Sequence, residues 1–393
     1  MRVMVINSGS SSIKFQLIDT AERKFLCKGM AERIGLEDGI FHFAREGKEK
    51  VSREVEIPDH KAGIALIEEA LSDIGRIEAA GHRMVIGGEE MRDAAVLDDS
   101  TVAIIEKYTP LAPLHNPPAL AGFRAARESF SSIPHVGVFD TAFHSTLEPK
   151  AYVYPLAYEC YEKHGIRRFG YHGTSHKYVA LRAAELLGRP AEEFNCVTCH
   201  LGNGSSITAV KGGKSVDTSL GFGTMCGIPM GTRAGDFDPD IILYLIERIG
   251  MSPREVKDLI YSESGLKGIS GISNDVRDIE AAAGKGNKRA KLALELLAHY
   301  GRKTIAAMAA SMTAPLHAVI FTAGIGENQS SVREAMCRGL EFMGVRIDPG
   351  KNRDTRDEAV ISAPDSPVAV IVVPTNEELM IALDTERIVT SRK

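Results

Sequence analysis

The stretch VMVINSGSSSIKFQLID, residues 3–19, reads as two strands joined by a polar turn. Val3 to Ile6 is a short apolar run, and Asn7 to Ser12 consists of residues that favour turns. Ile13-Lys14-Phe15-Gln16-Leu17 then alternates apolar and polar with the period of a half-buried strand. The same pattern returns in CVTCHLGNGSSITAV, residues 196–210, and Ser205-Ser206-Ile207 lies 194 residues beyond Ser11-Ser12-Ile13. Two unrelated hairpins would look alike on these residues alone. The sharper expectation is a duplicated domain whose two Gly/Ser turns face each other across a cleft, a common place for ligands.

Outward from the hairpins, strands alternate with helices, so the predicted class is α/β. HKAGIALIEEALSDIG carries a helical apolar period, and EAAGHRMVIGGEE a short strand running into Gly-Gly. LAPLHNPPALAGFRAARESF places prolines just ahead of a periodic run, the usual helix entry. IPHVGVFD is an apolar strand ending on Asp140. A helix is predicted from Thr174 or Ser175 to Gly188, a helix-rich stretch over 239–312, and then the strand AVIFTAG. After it come a loop GIGEN, a helix opened by a capping box at Ser331 and Glu334, the strand VAVIVV and a last helix.

With 393 residues, 44% of them apolar and 25% charged, the chain is an ordinary globular protein of two or three domains. A net charge of −5 argues against bulk affinity for nucleic acid or an anionic membrane. The four apolar residues before the first turn fall short of a secretory signal, and the expected location is the cytoplasm. Six cysteines are too few for a disulfide scaffold. Cys196-Val197-Thr198-Cys199-His200 has haem-attachment spacing. In a strand, however, positions three apart face opposite sides, so buried strand cysteines are expected instead.

Several residues could carry chemistry. The turns at Asn7–Lys14 and His200–Ser206 have the glycine and serine content of a phosphate cradle. The P-loop alternative fails because Thr208 stands where its first glycine belongs, and Gly324-Ile325-Gly326 lacks the third glycine of a dinucleotide fingerprint. Arg83 and Arg233 sit among glycines, where a guanidinium fork can meet a carboxylate or phosphate without crowding. A surface ion pair is the plainer reading of either. Asp140 ends a strand, as active-site carboxylates of open α/β sheets often do. His172 and His176 have i, i+4 spacing but lack the intervening Glu of a zinc helix, so no transition metal is expected.

Taken together, VINSGSSSIK, GHRMVIGGE, LAPLHNPP, FDTAFH, YHGTSHKYV, HLGNGSS, MGTRAGD, SNDVRD, AGIGEN and PTNEE resemble the acetate kinase family, in its order and over the whole length. The resemblance implies duplicated ribonuclease-H-like domains of the sugar kinase, heat-shock protein and actin superfamily. It implies an N-terminal domain over 1–144 completed by the helix 379–393, and a nucleotide-binding domain over 145–378. It implies reversible transfer of the ATP γ-phosphoryl group to acetate, with Mg²⁺ or Mn²⁺, ATP/ADP as co-substrate and a homodimer. On the same ground Asp140, His172 and Arg233 are expected to be catalytic, and Arg83 and His115 to line the acid site with Val85, Leu114, Tyr171 and Thr224. Nucleotide contacts are expected at Lys14, at His200, Leu201, Gly202, Asn203 and Gly204, and at Asp275, Val276 and Arg277. Further ones fall on Gly324, Ile325, Gly326, Glu327 and Asn328, and metal contacts on Asn7 and Glu377.

Three departures from the family pattern cluster near the acid pocket. Ile86 replaces a histidine, Gly223-Thr224-Met225-Cys226 replaces Thr-Pro-Leu-Glu, and Tyr171 replaces a common Phe. A propionate or other short-chain fatty acid kinase is therefore the nearest alternative. A sugar or glycerol-type kinase and a non-enzymatic nucleotide switch are more distant ones.

Overall fold

The computed structural model describes residues 1–391. The chain forms two compact units, Met1–Ser145 with Asn376–Lys393, and Thr146–Thr375.

The first unit is built on β1 (Arg2–Ser8), β2 (Ser12–Asp19), β3 (Lys24–Glu32), β4 (Ile40–Arg45), β5 (Val51–Glu54), β6 (Ala79–Met84), β7 (Ala95–Val96) and β8 (His135–Phe139). Their order is β5-β4-β3-β2-β1-β6-β8-β7. The meander β1 to β5 is antiparallel, β6 and β8 are parallel extensions of β1, and the short β7 runs antiparallel at the edge. The second unit carries β9 (Asn195–Leu201), β10 (Ser205–Lys211), β11 (Lys214–Thr218), β12 (Ala318–Thr322), β13 (Ala359–Val360) and β14 (Ala369–Val372), in the order β11-β10-β9-β12-β14-β13. Here too an antiparallel meander leads into two parallel strands and a two-residue antiparallel edge. The repetition extends from the hairpins to six strands, β3-β2-β1-β6-β8-β7 matching β11-β10-β9-β12-β14-β13, so the chain is a duplication with β4 and β5 added to the first sheet.

Each sheet buries alternate residues against helices. Met4, Ile6, Ile13, Phe15 and Leu17 pack with Ile64, Ile67 and Leu71 of the helix His60–Leu71. The helix Glu377–Thr390 lies against β6, where a Cβ on Gly81 would come within 2.4 Å of Thr385 Oγ1. Glycine at 81 thus lets this helix sit close, and the fit fixes where its first residue, Glu377, emerges. In the second unit β9, β10 and β12 bury Val197, Cys199, Ile207, Val319 and Phe321 against the long helix Lys288–Ser311. Cys196 and Cys199 are buried free thiols, both raised in pKa by burial. Among the described residues no helix is long and apolar enough to cross a membrane.

Local expectations fail at two places. GIGEN is not a loop: Ala323–Asn328 forms a short helix, entered through Ala323 at φ 63°. The capping box at Ser331 is not made either. Gln329 precedes that helix, and the Ser331 hydroxyl instead donates to Glu280, a partner 51 residues away. Among the described residues a capping box is made instead at Ser252 and Glu255.

Two buried histidines in neighbouring strands give a pH prediction. His82 Nε2 lies 2.9 Å from His135 Nδ1, and His135 Nε2 lies 3.2 Å from the Phe130 carbonyl. Burial pushes both pKa values down, for His82 well below 6.5, and the neighbouring His135 adds to it. The unfolded chain takes up protons below about pH 6.5 that these rings refuse, so stability is lost as the pH falls. The limit is about 1.4 kcal/mol per pH unit for each ring. Thermal melts between pH 7.5 and 5 should show a steeper loss in the wild type than in His82→Leu. Equal slopes would remove the pair as the cause.

Candidate active site

In the first unit the strand ends of β6 and β8 bring Arg83 and Asp140 together. Arg83 Nη2 donates to Asp140 Oδ2 at 2.5 Å, and Arg83 Nε lies 4.0 Å from a Glu377 oxygen. Asp140 is 2% exposed, and its second oxygen, Oδ1, is buried with no hydrogen-bond partner. Burial pushes the Asp140 carboxyl above its ordinary value, against the pull of Arg83 and His115. Burial and the neighbouring Asp140 raise Glu377 to about 7, with Arg83 opposing. Arg83 itself is held more firmly charged, chiefly by Asp140. The cluster thus sets two enclosed carboxyl groups against one guanidinium and is short of positive charge.

Around it, Val85 is buried just past β6, and His115 is the exposed residue that opens the helix Asn116–Ser129. Leu114 beside it is 77% exposed. Asn7 and Lys14 are opposite one another in the β1–β2 register. With Gln16, Lys28, Met30 and Glu378 they line a pocket of about 260 Å³ on the same face of the sheet.

In the second unit the site is organised by the β9–β10 hairpin. His172 precedes the helix Gly173–Leu186 in the left-handed region, φ 57°. Its Nδ1 is 2.8 Å from Ser206 Oγ, and its ring stacks on His200 with centroids 4.2 Å apart. Arg233 Nη1 donates to the Thr224 carbonyl at 2.7 Å. The guanidinium lies over Gly204, where a Cβ would meet Arg233 Nη2 at 3.0 Å. Glycine in the HLGNGSS turn therefore leaves room for this arginine, and burial lowers its pKa. Tyr171 is buried and its hydroxyl donates to the Phe222 carbonyl at 2.9 Å, which satisfies the group a phenylalanine would lack.

The proposed nucleotide residues divide by environment. Gly202, Asn203, Gly324 and Asn328 are at least partly exposed, as are Ile325, Asp275 and Arg277. Leu201 and Val276 belong to the hydrophobic core and their side chains offer a ligand no polar group, and Gly326 is a buried backbone position. Asp275 caps the helix Val276–Gly284 and pairs with Arg277, which holds its carboxyl at about 2. Glu327 is occupied in bracing: its Oε1 accepts from the amides of Ala323 at 2.8 Å and Thr375 at 3.0 Å. Arg333, 1% exposed, donates to the carbonyls of Gly326 and Glu327 and to Asn352, clamping the Ala323–Asn328 helix from below. Sequence reasoning missed Arg333, placed Ser206 only in a phosphate turn and missed the part played by His176. The only signal for the last two was that the His-x-x-x-His pair and the serine-ended turn share one neighbourhood.

A sequence profile described as the acetokinase family matches residues 2–383. The chain belongs to the acetokinase family. It is 52% identical to an acetate kinase of Caldanaerobacter subterraneus over the full length of both. A crystal structure of Porphyromonas gingivalis acetate kinase superposes with a TM-score of 0.94 at 42% identity, covering 99% of each chain. A propionate kinase from Francisella tularensis superposes at 0.90 with 38% identity, over 98% of this chain and 99% of that one. Membership of the acetokinase family makes this chain a phosphotransferase with a carboxyl group as acceptor.

Proposed function

We propose that the protein transfers the γ-phosphoryl group of ATP to acetate, reversibly, giving acetyl phosphate and ADP. The observation that carries this reading is the ion pair between Arg83 and the buried Asp140. A sugar kinase needs its strand-end carboxylate free as a base for a hydroxyl, whereas here that carboxylate is bound to an arginine. Acetate is already ionised at neutral pH and needs no base. One carboxylate oxygen forms a bond to the γ-phosphorus as the bond to the bridging oxygen of ADP breaks, and no proton moves. Catalysis then rests on positioning and on positive charge around the moving group. Arg83 holds the acid, Arg233 and His172 meet the phosphoryl oxygens, and Asp140 orients Arg83.

The residues also fit Mg²⁺. The partnerless Asp140 Oδ1 and the raised Glu377 mark a place that lacks positive charge, and Asn7 offers a neutral oxygen on β1. Among the described residues no cluster of three or more His, Cys, Asp or Glu could hold a metal ion. Mg²⁺ commonly takes one or two protein oxygens and completes its shell with water and phosphate. When bound it offsets the charge of the nucleotide phosphates. Glu377, Asn7 and Asp140 would hold it directly or through water. Ile241, Leu243, Tyr244 and Ile249 are exposed apolar residues within ten positions and would suit a homodimer contact, which light scattering of the purified protein would test. The proposed location is the cytoplasm.

Trapping acyl phosphate with hydroxylamine across formate, acetate, propionate and butyrate tests the acceptor. Acetate should have the highest kcat/KM, with propionate lower and butyrate poor. Val85 is buried two residues beyond Arg83 and is branched, and one methylene in an apolar pocket is worth about 1 to 3 kcal/mol. Val85→Ala should improve propionate relative to acetate. A wild type that prefers propionate would overturn acetate as substrate and leave the acid kinase chemistry standing.

A further inference from the structure

Three side chains in the second unit form a continuous hydrogen-bond chain that ends on His172. Ser206 Oγ lies 2.8 Å from His172 Nδ1 and 2.7 Å from His176 Nε2, and His176 Nδ1 lies 2.7 Å from Thr198 Oγ1. Ser206, His176 and Thr198 are each 0% exposed, so bulk water does not reach these bonds. The direction that satisfies the far end starts at Thr198. Its hydroxyl lies 3.4 Å from the Thr208 carbonyl, and with its proton placed there its oxygen accepts from His176 Nδ1–H. A neutral His176 then accepts at Nε2, from the one proton of Ser206. That leaves the Ser206 oxygen only a lone pair for His172, which must donate from Nδ1–H.

We propose that Ser206 and His176 are positioning residues that hold His172 with its proton on Nδ1, so that His172 offers Nε2–H to a phosphoryl oxygen only as an imidazolium. The proposal rests on the assignment of His172 to the transferring group. It makes His172 a second cation beside Arg233 rather than a neutral donor. The His200 ring fixes the plane of His172 by stacking, at 24° between planes. His200 is anchored in turn through Nδ1 to Ser175 Oγ at 2.8 Å, and Ser175 to Thr375 Oγ1 at 2.8 Å. A hydrogen bond sets one atom of the imidazole and the stack sets its plane, which together leave one orientation.

The test combines ring ¹⁵N spectroscopy of the full chain with steady-state kinetics. In the wild type His172 should carry its proton on Nδ1, and His176 should show a protonated Nδ1 and a bare Nε2. Ser206→Ala should lower kcat roughly tenfold to a hundredfold, the loss that follows removal of the outer hydrogen-bond partner of a metal-bound histidine. The KM values for acid and ATP should stay nearly unchanged, because the contact acts in the transition state. His172→Ala with Ser206→Ala should be no slower than His172→Ala alone, whereas a structural role for Ser206 would add its own loss. A protonated His176 Nε2, a normal kcat in Ser206→Ala or losses that multiply in the double variant would each overturn the proposal. Normal turnover in His172→Ala would instead overturn the role of His172 itself. The wild-type spectrum decides the tautomer even if a variant fails to fold.

Discussion

Arg233→Ala is expected to lower kcat by about 10² to 10³ and to leave the KM for the acid nearly unchanged, the signature of a group that acts on charge developing during transfer. One guanidinium edge is already committed, through Nη1 to the Thr224 carbonyl, and the fork lies over Gly204. The arginine is therefore held in place before any ligand arrives. A donor that needs no reorganisation is worth most when the transition state forms. Arg233→Lys should recover only part of the loss, because an ammonium cannot hold Thr224 and present a second planar edge at once. Steady-state rates at saturating ATP and acid check both variants. Near-normal turnover in Arg233→Ala would remove Arg233 from the transferring group.

The duplication was legible because it rests on a periodic signal. Two apolar runs, each broken by a Gly/Ser turn and resumed as a strand, define two hairpins, and each hairpin seeds a sheet with the same order over six strands. Pairings between distant residues were not legible. Ser331 has the local spacing of a capping box, yet its hydroxyl goes to Glu280, because tertiary contacts override a local preference of about 1 kcal/mol. GIGEN reads as a loop by composition, but Arg333, itself held by Asn352, gathers the Gly326 and Glu327 carbonyls from outside and a short helix results. The two π-helical turns, Leu245–Ile249 and Leu259–Glu263, carry no sequence mark at all. At the candidate site, glycines around Arg83 and Arg233 pointed to arginines with room about them. The Gly204 approach supplies the physical reason for the second. Arg83 on β6 finds its partners in two other segments, the end of β8 and the start of the last helix, and only folding brings the three together.

That convergence sets the second large expectation. Arg83→Ala should raise the KM for the acid by two orders of magnitude or so, because the ground-state carboxylate loses its fork. It should also destabilise the protein, by about 3 to 5 kcal/mol, because Asp140 would be left as a buried carboxylate without its cation. The two effects can be separated. Asp140→Asn in the same chain removes the stranded charge, so Arg83→Ala with Asp140→Asn should regain most of the melting temperature but none of the affinity for the acid. The pH dependence has a definite sign. Burial already raises Asp140, and without Arg83 its carboxyl would rise further. A carboxyl whose folded pKa is raised contributes stability below its unfolded pKa and loses it as the pH climbs through the folded one. The single variant should therefore lose stability relative to wild type as the pH increases from about 5 to 8, and the double variant should not. Melts across that range, with acid titrations at fixed ATP, distinguish an arginine that only binds substrate from one that also neutralises its own site. If Arg83→Ala melts with the wild type at pH 8, the ion pair is not what keeps Asp140 buried.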